Sequence, residues 1–161
     1  VNKREKGYRA PQVCAIVGIT YRQLDYWART DFMVPSLQRA RGSGSQRLYS
    51  FADLVQLKVV KRLIDAGMDV KRIRKAFAEL SRQGSSWNWD DGGVTLISDG
   101  ASIYALKSPQ EIIDIFKKGQ AVMGVTLGPV VEEISGEVRE LAKTAPIEEG
   151  YRSPGGQTEV I

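Results

Sequence analysis

The chain of 161 residues is 42% hydrophobic and 26% charged. These are the proportions of a globular protein of one domain or two small ones, and they exclude a disordered chain. With no histidine and a single cysteine, it lacks the commonest general base and metal ligand and has no internal disulfide. The net charge of +4 hides an asymmetry: residues 1–83 hold 17 Lys/Arg against 7 Asp/Glu, a net +10, and residues 84–161 hold 6 against 12, a net −6.

A basic half joined to an acidic half suggests one part facing a polyanion and another doing something else. A solvated basic surface is the plainer alternative. No apolar run approaches the roughly 20 residues of a membrane span. No secretory leader is evident from Val1 onward, and the lone cysteine fits a reducing compartment. A cytoplasmic protein with no membrane partner is therefore expected.

In chain order, residues 1–7 are charged and aperiodic and read as a mobile arm. Pro11 to Val17 is a short helix with Val13, Ile16 and Val17 facing inward, stopped by Gly18. Thr20 caps a second helix, with Gln23 three residues on in a T-x-x-Q capping box. That helix runs to about Arg29. So tight a connection between two short helices reads as helix-turn-helix. Pro35 ends the unit. Ser36–Ala40 and Gln46–Tyr49 then form an extended basic hairpin around Gly42 and Gly44. Ser50 caps a third helix with core positions Leu54, Leu57, Val60, Leu63 and Ile64, ended by Gly67. Asp69 caps a fourth, with Val70, Ile73, Phe77 and Leu80 inward and Lys71, Arg72, Arg74 and Lys75 outward.

Composition changes at residues 84–93, a linker with SSWNWDD in its middle. Val94–Ser98 and Ser102–Leu106 are strands around Asp99-Gly100, a strong hairpin signal. Ser108-Pro109-Gln110-Glu111 starts a helix that carries Ile112, Ile113, Ile115 and Phe116 and stops at Gly119. Ala121–Leu127 reads as a strand. Val130, Ile134, Val138 and Leu141 stripe a last helix, and residues from Pro146 form a polar tail.

The second helix carries two stripes. Leu24, Trp27 and Ala28 belong to a core. Arg22, Tyr26 and Arg29 form the opposite stripe, with Asp25 beside it and able to pair with Arg29 four residues later. The outer stripe offers guanidinium forks for phosphates or guanine edges and a phenol for a phosphate oxygen. The helix start at Thr20 can place backbone N–H groups near a phosphate. Such a helix suits a major groove, although an ordinary amphipathic surface helix has the same outline. Arg39, Arg41 and Arg47 cluster on the Gly-rich hairpin, a basic wing that can reach backbone or the adjacent minor groove; a solvated turn is the alternative.

ITYRQLDYWARTDFMVPS, followed by QRLYSFADLVQLKVVKRLIDAGMDVKRIR, resembles the winged-helix DNA-binding domain of MerR-type transcription regulators. The resemblance covers about half the chain, from Tyr8 to about Arg82. It is greatest to short actinobacterial members with a compact C-terminal domain. It implies that Arg22 and Tyr26 are recognition-helix contacts, that Arg47 and Tyr49 contact phosphates at the wing base, and that Tyr21 reaches a base or sugar. It further implies binding to a promoter spacer with distortion of the duplex. Three features depart from the pattern. Asp25 stands where many members carry Arg, no long dimerisation helix is evident after residue 83, and the sensor cysteine cluster is absent.

Other residues invite chemistry less. Cys14 among Val13 and Ala15 reads as a small buried hydrophobe. Trp87 and Trp89 either form a ligand box or pack the linker onto its own domain. Glu132, Glu133, Glu137 and Glu140 read as the solvated face of the last helix. No Walker loop or GxGxxG occurs, so neither catalysis nor a cofactor is expected. The second half either dimerises, through the Val130–Leu141 stripe or the Ile112–Phe116 helix, or binds a small effector. Dimerisation is favoured, because doubling the half-sites supplies affinity.

The reading is mainly α with β. Residues 1–83 form an N-terminal winged helix-turn-helix of four helices and a two-stranded wing, and 84–93 a linker. Residues 94–145 form a small α+β dimerisation or effector domain, and 146–161 the tail. The function is that of a sequence-specific DNA-binding transcription regulator acting at promoters as a homodimer. Double-stranded DNA and RNA polymerase are its partners. The alternatives are a DNA-architectural or recombination accessory protein with weak sequence preference, and an interaction module whose basic half only tethers.

Overall fold

The structure, a computed structural model, describes residues 7–39, 46–82, 87–100, 102–119 and 123–144. Residues 40–45, with Arg41 and the two glycines of the hairpin tip, residues 1–6 of the arm and the tail lie outside them, as do Ala121 and Val122 of the third expected strand. The chain divides into two compact units, one of residues 1–57 with 133–161 and one of residues 58–132. The division falls inside two long helices, α3 (Phe51–Asp65) and α6 (Leu127–Thr144).

In the first unit, α1 (Ala10–Val17) begins one residue before its proline and packs on α2 (Tyr21–Arg29). The Arg9 N–H donates to Gln12 Oε1 at 2.9 Å, which closes the start of α1. Gly18 lies at φ 84 and its N–H donates to the Cys14 carbonyl at 2.8 Å. Only glycine adopts this left-handed backbone without strain, and it lets the chain turn within two residues. The expected capping box then starts α2. Gln23 N–H donates to Thr20 Oγ1 at 3.1 Å, and Thr20 N–H donates to Gln23 Oε1 at 3.0 Å. Beyond α2, Asp31 takes φ 57, and the Phe32 and Met33 N–H groups both donate to the Trp27 carbonyl. The Phe32 ring meets Trp27 edge-on at 5.8 Å.

Among the described residues, the expected hairpin pairs through one bridge, with Leu48 N–H donating to the Gln38 carbonyl at 2.9 Å. Its neighbour Tyr49 pairs on the opposite side, exchanging two 2.9 Å bonds with Tyr8. Successive backbone groups of an extended chain point in opposite directions, so one segment is stitched to two others. Val13, Ile16, Val17, Leu24, Trp27, Tyr49, Leu54 and Leu57 are among the buried residues.

Ser50 and Asp53 form the capping box of α3: Asp53 N–H donates to Ser50 Oγ at 3.1 Å, and Ser50 N–H donates to Asp53 Oδ2 at 2.9 Å. The same carboxylate oxygen accepts from the Ser36 N–H and the Ser36 hydroxyl, each at 2.8 Å. Asp53 thus fastens the entry of the hairpin to the start of α3.

The second unit holds α4 (Val70–Arg82), β1 (Thr95–Ser98), β2 (Ile103–Leu106), α5 (Pro109–Lys117) and β3 (Met123–Thr126). The antiparallel sheet runs β2-β1-β3, and both α4 and α5 pack on β2. All four β1 residues are buried because β1 is the central strand and lies covered on both faces. Gly100, at φ 98, makes the β1–β2 turn. Leu127, expected at the end of a strand, is instead the first residue of α6, its N–H donating to the Val94 carbonyl at 2.9 Å. Ile113 on α5 is exposed, and the side chains of Ile115 and Phe116 lie outside the described residues. Trp89 stacks on Phe77 of α4 at 5.4 Å, with Trp87 edge-on to Trp89 at 5.1 Å. These rings therefore attach the segment after α4 to α4 itself.

Hydrogen bonds to a charged acceptor stabilise more than neutral ones. Asp53→Ala is therefore expected to lower stability by about 2 kcal/mol in urea unfolding, and Asp53→Asn, which keeps an acceptor, by less.

Candidate nucleic-acid interface

The inner stripe of α2, Leu24, Trp27 and Ala28, is buried. The outer side follows by geometry, since residues four and seven positions apart share a helix face. Arg22 is exposed, as are Tyr21 at 58% and Tyr26 at 51%. Two large aromatic rings left this far in solvent on one short helix bury no core area. With Arg22 and Arg29 beside them they form a face of forked donors and phenols. Arg29 also lies over the Tyr26 ring, its guanidinium carbon 5.9 Å from the centroid, within reach of a cation–π attraction. At the start of α2, the Thr20 side chain is occupied by the capping box, while the helix end it marks faces solvent.

Asp25 holds two cations. Its Oδ2 accepts from Arg29 Nε at 2.9 Å, the pair expected from the spacing of four. Its Oδ1 accepts from Arg47 at 2.9 Å, and this second contact joins α2 to the hairpin base. The Arg29 guanidinium first, and that of Arg47 next, hold the Asp25 carboxyl below the usual carboxylate range. The Arg47 side chain is only 14% exposed, whereas Arg29 and Arg39 remain largely in solvent. Arg39 pairs with Asp31 at 2.9 Å, so the turn after α2 also reaches the hairpin. Neither long-range pair was visible in the sequence. The available signal was that Asp25 and Asp31 are the only acidic residues between Glu5 and Asp53, amid six arginines whose charges they partly offset.

Of the residues singled out in the sequence, Thr20, Tyr21, Arg22, Tyr26 and Arg29 share one exposed helix, and Asp25 connects Arg47 to it. Arg39 stands on the hairpin, and Arg41 lies outside the described residues. Tyr49 is placed differently from a side chain that touches phosphate. It is fully buried, its hydroxyl has no hydrogen-bond partner among the described residues, and burial above all pushes its pKa up to about 12, against the opposing pull of Arg47. Its backbone is bonded to Tyr8 and its ring lies in the core. An unpaired buried hydroxyl is destabilising. Tyr49→Phe is therefore expected to raise the melting temperature or leave it unchanged, and to leave polyanion affinity intact. A phosphate contact from this hydroxyl requires the affinity to drop.

Among the described residues, no group of three His, Cys, Asp or Glu side chains could hold a metal ion, and no helix is long and apolar enough to cross a membrane. The thiol of Cys14 is half-buried, and burial raises its pKa.

Residues 8–80 match the model of the MerR HTH family of regulatory proteins. Over 152 residues, 94% of its length, the chain is 46% identical to a protein of Mycobacterium bovis named as an uncharacterized HTH-type transcriptional regulator. It is equally similar to proteins of the same description from two strains of Mycobacterium tuberculosis. The chain spans 63% of the length of these curated relatives.

Proposed function

From the MerR-family helix-turn-helix domain that residues 8–80 form, we propose that this chain binds double-stranded DNA and regulates transcription. The observation that carries the reading is the two-sided α2, with Leu24, Trp27 and Ala28 buried and Tyr21, Arg22, Tyr26 and Arg29 exposed to solvent. In this reading α2 enters the major groove, where Arg22 reads a base edge or grips a phosphate and Tyr26 donates its hydroxyl to a phosphate oxygen. The N–H groups after Thr20 point at the backbone. Residues 36–49 act as a two-stranded wing whose Arg39 and Arg41 reach phosphates alongside, with Arg47 at its base.

The protein acts at promoters as a homodimer. Residues 1–83 bind DNA, and residues 94–145 dimerise or take an effector. A dimer reads two half-sites related by a two-fold axis and spaced by whole turns of the duplex. RNA polymerase is a further partner, the location is cytoplasmic at the nucleoid, and the protein is not an enzyme. The named relatives, described as transcriptional regulators, support this reading for the part of their length that the chain matches.

Selection of sheared genomic DNA on the purified protein at near-physiological salt tests it. A few enriched sites sharing a two-fold motif are expected, whereas uniform recovery would favour an architectural protein with little sequence preference. On a selected site, Arg22→Ala should weaken binding by about 2 kcal/mol, roughly thirtyfold, with its melting temperature unchanged. Trp27→Ala should instead lower stability by about 3 kcal/mol. Equal destabilisation by both variants would remove Arg22 from the interface.

A further inference from the structure

The free face of α2 contains one carboxylate, and both of its oxygens are engaged. Oδ2 of Asp25 takes the Nε of Arg29, and Oδ1 takes a terminal nitrogen of Arg47, each at 2.9 Å. Arg29 pairs through its Nε, and this side chain is well exposed. Arg47 is nearly covered. The three groups together carry one net positive charge rather than two, with both guanidinium groups tied to one point.

This carboxylate is not needed to make the helix. The start of α2 is closed by Thr20 and Gln23, and its inner face is buried through Leu24, Trp27 and Ala28. A partly exposed ion pair adds little to stability. For a surface that meets a polyanion, however, a negative charge is a direct cost, because it repels phosphates and offsets the arginines that attract them. Phosphates recur at every step of any duplex and carry no sequence information. Arginines free to swing towards them therefore bind all sequences alike.

Resting on the DNA-binding reading above, we propose that Asp25 is a specificity-determining residue, which restrains Arg29 and Arg47 from indiscriminate phosphate binding and permits close approach only on duplexes that also satisfy Arg22 and Tyr26. At neutral pH Asp25 is charged, since both arginines lower its pKa. The restraint is set by geometry: both guanidinium groups are held at one carboxylate, each 2.9 Å from one of its oxygens.

The test uses the full chain as wild type and as Asp25→Asn, which keeps the side chain's shape and removes its charge. Fluorescence anisotropy follows binding to a random-sequence duplex and to a duplex recovered by genomic selection, over a salt series. For Asp25→Asn, binding to the random duplex is expected to tighten several-fold. Its slope of log K against log salt should steepen by about one unit, the signature of one more neutralised phosphate. The ratio of selected to random affinity should fall. Asp25→Glu, which restores the carboxylate, should return the slope to wild type. So should Arg29→Gln added to Asp25→Asn, which removes the more exposed of the two released cations. A purely structural role moves the melting temperature and not these slopes. Asp25→Ser, measured in parallel, should steepen the slope in the same way, so the result does not depend on one variant folding. An unchanged or shallower slope on the random duplex overturns the inference and leaves the DNA-binding reading standing. A wild-type chain with no salt-dependent affinity for any duplex overturns both.

Discussion

A helix of nine residues is shorter than the about 12–15 at which isolated helices become even marginally stable in water. α2 therefore exists because its inner stripe is buried. Leu24 is wholly covered and Trp27 nearly so, with the edge of Phe32 against the indole. Once that burial fixes the rotation of the helix, the positions of Arg22, Tyr26 and Arg29 are no longer independent choices. They face outward together, held to a scaffold that does not include them. The same constraint explains why the sharp turn at Gly18 matters: α1 supplies part of the cover and must double back within two residues to do so.

Around this apolar anchor, two carboxylates do work that hydrophobic contact cannot, because they fix direction. Asp53 gathers two N–H groups and a hydroxyl onto one oxygen and ties the chain leaving residue 36 to the start of α3. Asp25 ties the chain returning at Arg47 to α2. The hairpin, joined within itself by a single described bridge, is thus held at its departure and at its return.

What the sequence made legible was mostly short in range. The T-x-x-Q box, the glycine stop, the two stripes of α2, the Asp-Gly turn and the Ser-Pro-x-Glu start each depend on residues within about one helical turn or one hairpin loop. Each was found where it was read. The Asp25–Arg29 pair belongs to the same class. The Arg47 side of Asp25 does not, since nothing local to QRLYS says which carboxylate will lie beside it. Tyr49 shows the same gap. The resemblance implies a phosphate contact for Tyr49, and nothing local to it reveals the burial of its ring or the pairing with Tyr8. The last strand ends at Thr126 because α6 already begins at Leu127, while the Leu127 N–H still reaches Val94, more than thirty residues earlier, a contact that nothing local to it reveals.

The opposed pairings of Leu48 and Tyr49 have a consequence for how this region can change. Leu48 is bonded to Gln38 on one side, and Tyr49 to Tyr8 on the other. Side chains alternate along the same three residues, with Arg47 at Asp25 and Tyr49 in the core. A one-residue insertion or deletion here exchanges the two sides at once. The phenol would move into solvent, the guanidinium away from Asp25, and each backbone group towards the wrong neighbour. Point substitutions sample this segment gradually, but changes in its length do not. The hairpin is therefore free to vary in length only on the tip side of the Gln38–Leu48 bridge, and its base keeps a fixed count.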